Sequence, residues 1–144
     1  MKTRYSSLVS VKKNIMQKSE RTLQSANATL NRALTALEIS YNELDDIVTP
    51  CSGLMPEFLA IRTLLDAQRA LIKQNDEWVE FAKREILVAQ EQLKKDTIEF
   101  EKFHHLELQE IKEMLRKIKI EESKELDEVA LMTYSKKQDK KEVP

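Results

Sequence analysis

The chain has 144 residues, of which 34% are charged and 6% aromatic, with a formal net charge of −1 and a single glycine. Turns and sheets depend on glycine, which makes up about 7% of an average protein, so this composition excludes a sheet-rich fold. An apolar share of 41% is too high for a disordered tail; the profile is that of long exposed helices, which bury a narrow seam and leave no room for the deep pocket of an enzyme.

The N-terminal stretch MKTRYSSLVSVKKN holds basic groups but no apolar block of the ~7–15 residues that a secretory signal carries. No run elsewhere approaches the ~18 apolar residues of a membrane span. A lone cysteine, Cys51, forms no internal disulfide and suits a reducing compartment. With no Lys, Arg or His near it in sequence, its thiol is expected to be inert. The expectation is a cytoplasmic protein without direct membrane insertion.

The spacing predicts a first helix over residues 3–48. Leu23, Leu30, Leu37 and Leu44 recur every seven residues, and Leu34, Tyr41 and Val48, with Asn27 as a polar exception, are assigned to the second seam position. Heptad leucines after Lys2, Arg4, Lys12, Lys13, Lys18 and Arg21 invite comparison with a zipper that binds nucleic acid. These basic groups are too sparse for that, and a longer heptad helix follows that can serve as the partner, so no nucleic acid is expected.

Residues 49–56 form the predicted connection. The stretch VTPCSGLMP (48–56) collects the only glycine, the only cysteine and two of the three prolines. Thr49, ahead of Pro50, is pushed out of the helical region. Gly53 is free to take a positive φ. Pro56 suits the first turn of a new helix.

A second helix is predicted over 57–134, followed by a frayed tail, 135–144. Phe58, Leu65, Ile72, Val79, Ile86, Leu93 and Phe100 recur every seven residues; Ile61, Ala82, Ala89 and Phe103 share the second seam position with the polar Gln68, Asn75 and Asp96. So unbroken a series signals a coiled coil, and the short connection makes the helices antiparallel neighbours. Polar seam residues cost stability and fix register. With Val48 facing Phe58, Tyr5 falls opposite Glu101 and helix one runs out opposite Phe103. Past that point the apolar positions become Leu108, Ile111, Leu115 and Ile118, one residue out of phase, as at a skip. The expected fold is therefore all-α: a single two-helix antiparallel coiled-coil hairpin with a long C-terminal overhang, residues 104–134, about 45 Å at ~1.5 Å per residue.

Catalytic chemistry is absent from the pattern. One glycine builds no phosphate loop and one cysteine no CxxC motif. His104 and His105 point about 100° apart on a helix, and Glu101 with His105 is at most half a metal site. No catalytic residue, metal or cofactor is assigned, and the chain is not expected to be an enzyme. Charge is segregated instead. Between Ala33 and Ile61 there is no Lys or Arg, but Glu38, Glu43, Asp45, Asp46 and Glu57 are present. Basic groups gather near both termini, including Lys136, Lys137, Lys140 and Lys141. Segregated charge suggests different partners at the two ends of the expected rod.

The stretch KELDEVALMTYSKK (124–137) carries Glu125, Leu126, Asp127 and Glu128, then an apolar pair and Tyr134. With the TRYSSLVSVKKNI start and the charged hairpin between, the whole chain resembles the FliJ family, small components of the flagellar type III export apparatus related to the YscO proteins of injectisomes. The resemblance implies a stalk-like antiparallel coiled coil that enters the export ATPase ring by the end bearing both termini. It also implies contact with the linker of the export-gate membrane protein, help in cycling export chaperones, and a peripheral place at the inner-membrane flagellar base. On this basis the ATPase-binding candidates are Lys12, Lys13, Leu108, Ile111, Leu115, Arg116, Ile118 and Lys119. The gate-binding candidates are Tyr41, by resemblance, and Leu64, Leu71 and Trp78, which repeat every seven residues beside the seam. The alternative reading is a coiled-coil tether or chaperone for another assembly.

Overall fold

The computed structural model describes residues 2–142, with side-chain burial given for 2–140. Two helices account for almost all of it: α1 (Ser6–Asp45, 40 residues) and α2 (Met55–Glu142, 88 residues). They pack against each other as a helical hairpin, and no strand occurs among the described residues. Helical backbone continues past Tyr134 to Glu142, where a frayed tail was expected. Contacts divide the chain into two compact units, one of residues 13–98 and one made of the N-terminal segment up to Lys12 together with the chain from Glu99 onward.

Local chemistry sets the helix ends. Thr3 Oγ1 accepts a hydrogen bond from the Tyr5 amide at 3.2 Å, and Ser6 Oγ accepts one from the Thr3 amide at 2.8 Å. This reciprocal pairing works as a capping box, with Ser6 in the place usually held by Glu. At its other end α1 stops at Asp45, short of the expected Val48. Glu43 and Asp45 crowd the negative end of the helix dipole, no basic residue offsets them, and the Pro50 ring forbids a continued helix. α2 opens with the Leu54 carbonyl accepting from the Glu57 amide at 3.0 Å, which leaves Pro56 in the first turn as expected. Gly53 does not take a positive φ. Its small size matters for another reason, since a Cβ there would press on the Glu57 carboxylate.

In the unit of residues 13–98, the α2 seam is the expected one: Val79, Ala82 and Ala89 are buried, and Phe58, Leu65, Ile72, Ile86 and Leu93 are half-buried. The α1 seam differs. Leu23, Leu30, Leu37 and Leu44 take their expected places, but the second position is filled by Ala26, Ala33, Ser40 and Ile47. Leu34, Tyr41 and Val48 are exposed. Small side chains let the two backbones approach, and a Leu or Tyr pointed into that gap would hold them apart. The polar seam residues are all satisfied. Ser40, only 2% exposed, donates to the Ala36 carbonyl at 2.6 Å and accepts from Asn75 Nδ2. Gln68 Nε2 donates to the Ser40 carbonyl at 2.8 Å, and the Ser19 hydroxyl donates to the Asp96 carboxylate.

In the terminal unit the spacing of seven runs on without a skip, through Phe100, Glu107 and Met114 and through Phe103 and Glu110, all half-buried. The expected register is also corrected. Ser6 Oγ donates to Glu107 at 3.0 Å and Arg4 pairs with Glu110 at 3.6 Å, well beyond the Glu101 expected opposite Tyr5. The expectation began from Val48 facing Phe58, and Val48 is exposed. From Leu115 to Lys140 every side chain is exposed, so the stretch of α2 without a helical partner begins there and not at His104.

Candidate functional site

The terminal unit presents one continuous apolar stripe outside its seam. Leu108, Leu115 and Ile118 are exposed and Ile111 is half-buried. Spacings of three, four and seven place them on one face of α2. Leu126, eleven residues and three turns past Leu115, and Val129, eleven past Ile118, fall on the same face, both exposed and neither assigned to a site by the sequence reading. Val129 continues the heptad spacing from Leu108, but Glu122 and Glu125 at the intervening heptad positions hide the signal.

The basic candidates around this stripe differ in freedom. Lys12 is largely taken up within the unit, 3.7 Å from Glu99 and 5.7 Å from the centre of the Phe103 ring. Arg116 forks onto Glu113, with Nη2 at 2.6 Å and Nε at 3.2 Å from the two carboxylate oxygens. That hydrogen-bonded pairing holds the Glu113 carboxyl below its ordinary range and the guanidinium above its own. Lys119 is exposed and enters no ion pair among the described residues, and the same is true of Lys13, which belongs to the other unit. An open groove lined by Gln109, Lys112, Glu113, Leu115, Arg116 and Lys119 flanks the stripe. Half-buried Glu110 has one carboxylate oxygen, Oε2, with no partner among the described residues.

In the unit of residues 13–98, Leu64, Leu71 and Trp78 lie beside the α2 seam, and Trp78 is 38% exposed. α1 does not enclose it. Tyr41 is exposed too, but it is not part of the same patch. The Phe81 and Glu85 side of α2 borders Thr22, Ser25 and Thr29, and Leu64, Leu71 and Trp78 precede Glu85 at sevenfold spacing. At 100° per residue, Tyr41 lies on the far side of the Ser40 seam position from that flank. No helix among the described residues is long and apolar enough to cross a membrane, and no cluster of three or more His, Cys, Asp or Glu among them could hold a metal ion.

The profile of the family described as Flagellar FliJ protein matches residues 1–139. The chain belongs to the FliJ family. Membership makes it a component of the flagellar export apparatus, and the helical hairpin is the architecture the resemblance implied. No curated protein and no solved structure matches this FliJ-family chain.

Proposed function

We propose that the chain is a stalk-like coiled coil of the flagellar export machine. It engages the ring of the export ATPase through the terminal stripe and the export-gate membrane protein through the flank of the other unit. It also assists the cycling of export chaperones, and its site of action is the inner-membrane base of the flagellum. The supporting observation is the apolar stripe of Leu115, Ile118, Leu126 and Val129 on a stretch of α2 whose side chains are all exposed. A lone helix with such a stripe is marginal in water and gains order on a partner. Lys119 and Lys13 speed encounter with an acidic surface and make it salt-sensitive. Hydrolysis belongs to the ring; the stalk biases it by contacting one state of the ring better than another.

The test is to combine Leu115→Asp and Ile118→Asp in the full chain and measure ATP hydrolysis by the export ATPase at increasing doses. Stimulation should fall at least about tenfold, as expected when an apolar anchor is replaced by charge. Unchanged stimulation would remove this stripe as the working surface. Trp78→Ala should weaken binding to the gate linker and leave helicity unchanged. A lowered melting temperature with intact gate binding would assign Trp78 to packing.

A further inference from the structure

The back of α2 within the unit of residues 13–98 carries a patch that belongs neither to the seam nor to the proposed docking flank. Leu87 and Val88 are each 63% exposed. These neighbours flank one face of α2, and Arg84, Glu91 and Lys95 lie between them on it. That face points away from the buried seam residues Val79, Ala82 and Ala89, so α1 leaves it uncovered.

The charges on this face are arranged about a centre. Arg84 lies as far before the Leu87–Val88 pair as Glu91 lies after it. Glu80 and Lys95 stand symmetrically one turn further out. In each symmetric pair the two signs are opposite. A second copy of the same helix, laid antiparallel about a two-fold axis at this centre, therefore sets Arg84 against the second copy's Glu91 and Glu80 against its Lys95, each twice. Leu87 and Val88 meet their counterparts at the axis. A two-fold interface must be self-complementary in this way, and a helix with these charges in random order would bring like signs together. Glu80 holds only a surface contact of 3.6 Å with Lys83 in the single chain, which leaves it able to turn to a new partner.

We infer that this face binds a second copy of the chain, α2 against α2 in antiparallel register centred between Leu87 and Val88. The strip is one helix face wide and about 30 Å long, below the ~1,200 Å² of a stable complex, so the pairing is weak and depends on concentration. The inference is independent of the stalk reading, because it uses no residue of the terminal stripe or of the Leu64–Trp78 flank.

Sedimentation of the full chain under reducing conditions, from micromolar to millimolar concentration, reads the association directly. Arg84→Glu alone and Glu91→Arg alone should each weaken the dimer at least about tenfold, since each sets like charges together twice across the axis. The two combined restore the opposite-sign pairing and should return association to near the native level. Leu87→Asp should abolish it. These positions are exposed, and circular dichroism of each variant verifies that the hairpin persists. A chain that stays monomeric at every concentration would overturn the inference. So would a combined variant that fails to recover association, or a dimer indifferent to Leu87→Asp.

Discussion

The same seven-residue spacing runs through both units of α2, yet it is filled with different chemistry. In residues 13–98 the seam holds Val79, Ala82 and Ala89 against Ala33 and Ser40, and its polar members are paired. In the terminal unit Glu107 and Glu110, opposite Ser6 and Arg4, interrupt Val9, Phe100, Phe103 and Met114, and one Glu110 oxygen has no partner among the described residues. A seam of small and apolar groups gains from every ångström of closer approach. A seam interrupted by carboxylates must hold those positions by hydrogen bonds that water can replace, so it gains less. Geometry alone does not make a coiled coil stable. The contents of the seam decide which part is a fixed scaffold and which part opens at low cost, and a segment that opens easily suits a region that must meet partners.

Enlarging the tight seam is the change that should hurt most. Ala33 is fully buried, and Ala33→Leu should cost about 1–3 kcal/mol by forcing the helices apart, read from urea or thermal melts. The opposite sign is expected in the terminal unit. Glu110→Met removes an unpartnered buried oxygen and adds apolar contact, and should stabilise that unit by about 1 kcal/mol. The gain should appear as slower amide exchange in residues 6–12, with the melt of residues 13–98 unchanged. If both substitutions destabilise alike, the two seams do not differ as described.

Much of this was legible in the sequence. The whole α2 seam from Phe58 to Phe103, the four α1 leucines and the break around Pro50 follow from spacing and from the stereochemistry of proline. The second α1 position was not legible. Hydrophobicity ranks Leu34 and Tyr41 above Ala33 and Ser40, whereas interhelical distance selects the smaller pair. The terminal seam was hidden for a related reason. Glu107 and Glu110 look like surface residues, so the eye moves to Leu108, Ile111, Leu115 and Ile118 and infers a skip that the helix does not make. The register followed from a wrong first pair, Val48 with Phe58, and the error carried along the helices. Of the candidate residues, the stripe and the Leu64, Leu71 and Trp78 row were found by spacing, while the loss of Lys12 and Arg116 to internal carboxylates needed the structure.

Smaller effects sharpen the comparison. Glu113 has its pKa held below the ordinary carboxylate range, chiefly by its hydrogen bond to Arg116. A depressed carboxylate contributes stability above its unfolded pKa and loses it as pH falls through the folded value. Helix order around residues 110–119 should therefore decline slightly on acidification below that range. Glu113→Gln should remove the acid dependence, followed by NMR of the local amides. Because the pair is exposed, a large effect there would mean that the stretch is packed in solution. Gly53→Ala should change stability by no more than about 0.5 kcal/mol, since φ is not positive there and only the flexible end of Glu57 must move. A larger loss would show that the connection is strained.

Residue-resolved amide hydrogen exchange of the isolated full chain tests the central claim most directly. Residues 16–40 and 61–96 should be protected most strongly, residues 6–12 and 99–114 less so, and residues 115–140 least. Equal protection of residues 6–12 and 16–40, or strong protection beyond Leu115 in the free chain, would contradict the division of one heptad series into a fixed apolar seam and a more easily opened one interrupted by carboxylates.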